Sequence, residues 1–131
     1  VAHAHLAVLG TFSFVMFATI YYALPRLINR EIWSVKLQEW HYWLSLIGFT
    51  LFFVSLTIGG LVQGSLWAMN QSASFIVSVD AMLPYNIVRS SGGAMILFGQ
   101  LLFIYNIYKT ATAGGRFTAT TGDPAIAVGE A

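Results

Sequence analysis

The sequence contains no cysteine, which excludes a disulfide framework, a thiolate zinc site, a Cys-ligated iron-sulfur cluster and a covalently attached c-type haem on this chain. Any metal must therefore be held by histidine or oxygen ligands. Charge is nearly as scarce. Asp, Glu, Lys and Arg make up 8% of 131 residues, against roughly a quarter in an ordinary soluble domain, and 57% of the chain is hydrophobic. A soluble globular fold is excluded. The net charge of +1, with no basic stripe, excludes a nucleic-acid partner. No basic n-region or small-residue cleavage site precedes the first apolar run, so that run does not read as a secretory leader. A span that opens with histidines at positions 3 and 5 predicts instead the tail end of a longer polypeptide.

Long uncharged runs take the place of the missing charge. Residues 6–24, 40–79 and 90–108 carry no Asp, Glu, Lys or Arg, and about 20 apolar residues suffice to cross a hydrocarbon core of about 30 Å. The fold class predicted is all-α and integral to a lipid bilayer, with three transmembrane helices forming part of a larger helical bundle. The spans fall at about 2–24, 39–69 and 87–108 within a membrane segment 1–111. The first is expected to stop before Pro25-Arg26, with Tyr21 and Tyr22 as interfacial aromatics, and the second to start in the aromatic run Glu39-Trp40-His41-Tyr42-Trp43. Residues 70–84 read as a polar connection containing a short helix. The Ala-, Gly- and Thr-rich residues 112–131 read as a flexible polar tail. Arg26, Arg30, Lys36, Lys109 and Arg116 fall on one side of the membrane and only Arg89 on the other. The positive-inside bias therefore predicts a cytoplasmic tail, and an N-terminal end near the outer side.

Ionisable side chains at membrane depth are costly and mark functional sites, which singles out His3-Ala4-His5. Two residues along a helix turn through about 200°, so the imidazoles point to opposite sides and cannot chelate one ion. They can hold two iron centres, one on each face, and haem is a cofactor that one imidazole per segment commonly ligates. Solvated helix-end histidines are the plain alternative. Arg89 suits the carboxylates of haem propionates, or serves as a snorkelling anchor. His41, among aromatics at the other membrane face, reads as interfacial. Gly60-Leu61-Val62-Gln63-Gly64, and Gly92, Gly93 and Gly99, read as small-residue surfaces for close helix packing. Gln63 and Gln100 read as interhelical hydrogen-bonding residues, with a proton or water path as the other use.

Taken in order, His3-Ala4-His5-Leu6-Ala7 and Tyr21-Tyr22-Ala23-Leu24-Pro25-Arg26-Leu27 resemble the tenth helix of subunit I in haem-copper oxidases, in the branch shared by cbb3-type cytochrome c oxidases and nitric oxide reductases. Glu39-Trp40-His41-Tyr42-Trp43, Gly60-Leu61-Val62-Gln63-Gly64 and Pro84-Tyr85-Asn86-Ile87-Val88-Arg89 with Gly92-Gly93 resemble the eleventh and twelfth helices of the cbb3 type. The resemblance covers about residues 2–110. It implies that His3 is the proximal ligand of a high-spin b-type haem, that His5 is an axial ligand of a low-spin b-type haem, and that Arg89 lies near the propionates. Copper or non-haem iron would be held by other helices, so no complete catalytic centre lies on this chain alone. Leu6-Ala7 departs from the serine that usually follows the second histidine in cbb3 oxidases and is more like the nitric oxide reductases.

The function implied is that of the haem-ligating C-terminal part of a respiratory terminal oxidase in a bacterial or archaeal cytoplasmic membrane. It would reduce dioxygen to water with electrons from cytochrome c, coupled to proton movement. The partners implied are the remaining helices of subunit I, or a separate chain supplying them, and cytochrome c-bearing subunits. One alternative is a nitric oxide reductase catalytic subunit making nitrous oxide. Another, of a different class, is a non-catalytic cytochrome b membrane anchor.

Overall fold

A computed structural model describes residues 2–69 and 75–115. Helix α1 spans Ala2–Leu27, α2 Val35–Met69 and α3 Phe75–Ala113. Each is long and apolar enough to cross a membrane, and among the described residues there is no β-strand. The chain is thus an all-α integral membrane protein. At about 1.5 Å per residue, α2 and α3 exceed 50 Å, well beyond a hydrocarbon core of about 30 Å. Helix α1 is α-helical over Ala2–His5 and Ser13–Leu27 and π-helical over Leu6–Phe12. The hydroxyls of Thr11 and Ser13 reach back five residues to the carbonyls of Leu6 and Val8, both at 3.5 Å.

Helices α2 and α3 form an antiparallel hairpin whose seam is built from small and polar residues at seven-residue intervals. His41, Gly48 and Ser55, and in parallel Ser45, Phe52 and Gly59, line α2; Ser78, Tyr85, Gly92, Gly99 and Asn106 line α3. Such a repeat keeps one face toward a partner as two helices wrap left-handedly. Small side chains let the backbones approach where no hydrophobic effect operates between helices. A Cβ at Gly92 would lie 2.6 Å from the Gly48 carbonyl oxygen, and one at Gly48 would lie 2.7 Å from that of Gly92. A Cβ at Gly99 would lie 3.1 Å from Ser45 Oγ. Gly60, Gly64 and Gly93 instead face open space. Among the described residues, Gly92 and Gly99 are the glycines of those expected to pack that meet another helix, because the seam follows the seven-residue rows and the Gly60/Gly64 stripe lies off them.

The helix ends differ from the sequence expectation for identifiable reasons. Helix α1 runs through Pro25 to Leu27, since one proline removes a single backbone donor. It ends in a Schellman turn: Arg30 N–H donates to Pro25 O at 2.9 Å and Asn29 N–H to Arg26 O at 3.3 Å, around Asn29 at φ 53°, a left-handed position that asparagine tolerates. Helix α2 begins at Val35 rather than Glu39 because Ser34 caps it, accepting from Leu37 N–H at 3.4 Å. Helix α3 begins at Phe75, so the expected connection to Pro84 is largely helix. Ser78 returns its hydroxyl to Phe75 O at 2.8 Å, and Pro84 leaves only one carbonyl without its helical donor. Residues 70–74 and the tail from Arg116 onward lie outside the described residues.

Residues 28–34 are clamped onto the end of α3. Asn106, fully buried, accepts from Ser34 N–H at 3.2 Å and donates to Ser34 O at 3.0 Å. Trp33 N–H donates to Thr110 Oγ1 at 3.1 Å, and Glu31 N–H to Gly115 O at 2.9 Å. The first connection and the end of α3 therefore share one side of the bundle.

Candidate functional site

His3 and His5 lie in the α-helical turn Ala2–His5, so their two-residue spacing retains its half-turn separation. His5 is part-buried and packs against Phe52 of α2, ring centroids 5.2 Å apart at 49°. His3 is exposed. One imidazole thus turns toward the hairpin and the other away from it. Among the described residues no three His, Asp or Glu groups converge as a metal cage. Single imidazoles on opposite faces of one helix fit haem ligation, which asks for one imidazole per segment, and do not fit a chelated ion.

Arg89 sits one turn before Gly92 on α3, and Gly92 packs against Gly48 and the backbone of Phe52. Since His5 rests on Phe52, Arg89 and His5 flank the same height of α2. That height is not the end of the bundle, as the sequence order suggested: residues 53–69 of α2 continue about 25 Å past it. Asp80 is the sole carboxylate on α3 and lies nine residues, about 13 Å, from Arg89 along the helix.

A second group of polar residues lies deeper between the helices. His41, read from sequence as interfacial, is 2% exposed and enclosed by Phe17, Tyr21 and Phe103. Its Nδ1 lies 3.4 Å from Tyr21 Oη and its Nε2 3.4 Å from Gln100 Nε2. The Gln100 amide donates to Nε2, so the neutral ring carries its proton on Nδ1 and donates to Tyr21 Oη. Tyr21 is therefore buried between the helices, while Tyr22 is exposed with Arg26 3.7 Å above its ring. Gln100 makes the interhelical bond expected of it. The sequence signal that would have found His41 is its place at the head of the row His41, Gly48, Ser55.

Fold and site together define an all-α integral membrane protein that carries histidines and an arginine within its membrane-spanning helices. A family profile described as Cytochrome C and Quinol oxidase polypeptide I matches residues 1–95. The chain is 35% identical over 120 residues to the "Cytochrome c oxidase subunit 1 homolog, bacteroid" of Bradyrhizobium diazoefficiens, covering 87% of this chain and 22% of that protein. It is 34% identical over 119 residues to the "Cbb3-type cytochrome c oxidase subunit CcoN1" of Stutzerimonas stutzeri, covering 86% and 25%. To a nitric oxide reductase subunit of Stutzerimonas stutzeri it is 29% identical over 138 residues, covering 96% and 27%. No solved structure gives a significant match. The chain belongs to the cytochrome c and quinol oxidase polypeptide I family, subunit I of the haem-copper oxidases. It spans about a quarter of the length of these relatives.

Proposed function

We propose that this chain is the haem-ligating part of the catalytic subunit of a cbb3-type respiratory oxidase, in which dioxygen is reduced to water with electrons from cytochrome c and coupled proton movement. The observation that carries the reading is the placement of His3 and His5 on opposite faces of one α-helical turn, with Arg89 at the same height. In this reading His3 holds the iron of a high-spin b-type haem and His5 that of a low-spin b-type haem. Bound haem would supply the redox-active irons, one for electron entry and one for the gaseous ligand. Arg89 orients the propionates by charge-assisted hydrogen bonds, and Phe52 fixes the plane of the His5 ring. Copper or non-haem iron belongs to helices supplied by the rest of subunit I or a partner chain, and cytochrome c-bearing subunits deliver the electrons.

The clamp between residues 28–34 and α3 gathers Arg26, Arg30, Lys36 and Lys109 toward one end. By the positive-inside bias this supports a cytoplasmic position for that end and an outer-facing position for the His3 end, in a bacterial or archaeal cytoplasmic membrane. Substitution in the assembled complex tests the assignment. His3→Ala should abolish carbon monoxide binding to the high-spin haem, and His5→Ala should disturb the low-spin spectrum while altering the first signal less. Unchanged haem spectra in both variants would overturn it.

The nitric oxide reductase reading is favoured by Leu6-Ala7 and by the likeness to the Stutzerimonas reductase. Metal analysis of the complex separates the two, copper for the oxidase and additional iron for the reductase. A cytochrome b anchor would show a single bis-histidine haem and no carbon monoxide-binding haem.

A further inference from the structure

Helix α1 meets the hairpin through side chains, and the fit leaves two cavities. One, about 630 Å³, is a groove lined by Tyr21, Tyr22, His41 and Tyr42, with Arg26 and Glu39 at its exposed rim. The other, about 230 Å³, is a second half-open groove farther along α1, among Leu9, Ser13, Phe49, Ile96 and Gln100. Phe14, Phe17 and Ser45 line both. Ser45 is 3% exposed, and its Oγ is buried with no hydrogen-bond partner. This sets it apart from Ser55, Ser65, Ser78 and Ser91, each of which returns its hydroxyl to the carbonyl three residues back. Gly99 keeps the space beside that hydroxyl open, since a Cβ there would stand 3.1 Å from Oγ.

An unpartnered buried hydroxyl costs about 1–3 kcal/mol, and a bridging water needs about 10–15 Å³ of room and two to four polar partners. The second groove has room for several molecules, and Ser45, Gln100 and Ser13 put three polar groups on its otherwise apolar wall. We propose that Ser45 anchors a cluster of internal water where the three helices meet. The cluster joins the Tyr21–His41–Gln100 hydrogen bonds to Ser13, so that a hydrated inlet reaches from the Arg26/Glu39 rim into the membrane interior. The inference is independent of which gas is reduced and of haem ligation by His3 and His5.

Radiolytic hydroxyl labelling of the assembled membrane complex, read by mass spectrometry after rapid mixing into H2-18O, tests it, because ordered internal water labels adjoining rings and exchanges slowly. Phe17 and Phe49 should label much faster than Tyr85, which packs in the seam away from both cavities, and should retain the original oxygen isotope. Ser45→Ala, which keeps the space but removes the anchor, should drop both rings to the rate of Tyr85 while leaving the haem spectra unchanged. Labelling at the Tyr85 rate in the parent protein, or labelling unaffected by Ser45→Ala, would overturn the proposal. Should Ser45→Ala not assemble, an electron cryomicroscopy map of the parent complex that resolves other internal waters decides. Density within hydrogen-bond reach of Ser45 Oγ is expected, and its absence refutes the site.

Discussion

The two helix interfaces of this molecule are built on opposite rules. Where α2 meets α3, backbone faces backbone: Gly48 and Gly92 approach until neither has room for a methyl group. Where α1 meets the hairpin, rings face rings. Phe14 packs on Phe49 and Tyr42, and Phe17 on His41 and Phe103. A seam of small residues excludes everything else, whereas bulky rings leave cavities between them. His5 belongs to the looser interface, and the buried His41 and the unpartnered Ser45 hydroxyl lie where that interface joins the α2–α3 seam. Tight packing here supplies the scaffold, and the imperfect fit supplies the room for chemistry.

Substitution at the seam should have the largest effect. Gly92→Val places Cβ against a carbonyl that cannot move without shifting the helix. We expect a loss at or above the about 1–3 kcal/mol typical of overpacking, read as lower thermal stability of the assembled complex in detergent. Gly93→Val, one residue away and facing open space, is the matched control and should assemble normally.

Intermediate in size is the clamp that ties the first connection to the hairpin. Asn106→Leu retains bulk but leaves Ser34 N–H and C=O without their partners, which should cost about 1–3 kcal/mol. Limited proteolysis of the complex should then cut within residues 28–34, which the parent protein protects. Resistance equal to the parent's would show that the Trp33–Thr110 and Glu31–Gly115 bonds hold the connection alone.

The smallest effect is expected at the ring-lined interface. A Cβ at Gly10 would meet Phe49 Cζ at 2.8 Å, a closer approach than overpacking tolerates between rigid groups. That atom is the far end of a side chain that can swing, and alanine gains about 1 kcal/mol of helix propensity over glycine. Gly10→Ala should therefore leave thermal stability nearly unchanged. A loss as large as that of Gly92→Val would mean that α1 is held as rigidly as the hairpin.

The gross architecture was legible because it rests on composition: uncharged runs of about 20 residues have one stable solution in lipid. The family resemblance was legible in His3-Ala4-His5 and the segments after it. Less readable were features set by contacts between distant residues. Pro25 and Pro84 punctuate a sequence strongly, yet both sit inside helices, where packing against neighbouring helices offsets the about 3 kcal/mol that an interior proline costs. His41 lies among Trp40, Tyr42 and Trp43 and looks interfacial for that reason. Its burial depends on Phe17 and Phe103, which local sequence does not bring near. The seven-residue rows were present in the sequence all along, but the more conspicuous Gly60/Gly64 pair, which faces away from the α2–α3 seam, drew attention from them.

Seven π-helical residues, Leu6–Phe12, act as a phase shifter on α1. At 100° per residue, an unbroken α-helix would set His5 and Tyr21, sixteen positions apart, about 160° from one another around the axis. Yet His5 rests on Phe52 and Tyr21 on His41, both on α2. The wider π turns advance each residue through a smaller angle, and the accumulated lag swings the lower half of the rod round to the same neighbour. A helical wheel drawn from His3 to Tyr21 at uniform pitch therefore misplaces everything after His5. The imidazole pair at one end and the phenol at the other can be aimed independently, although they share a single continuous helix.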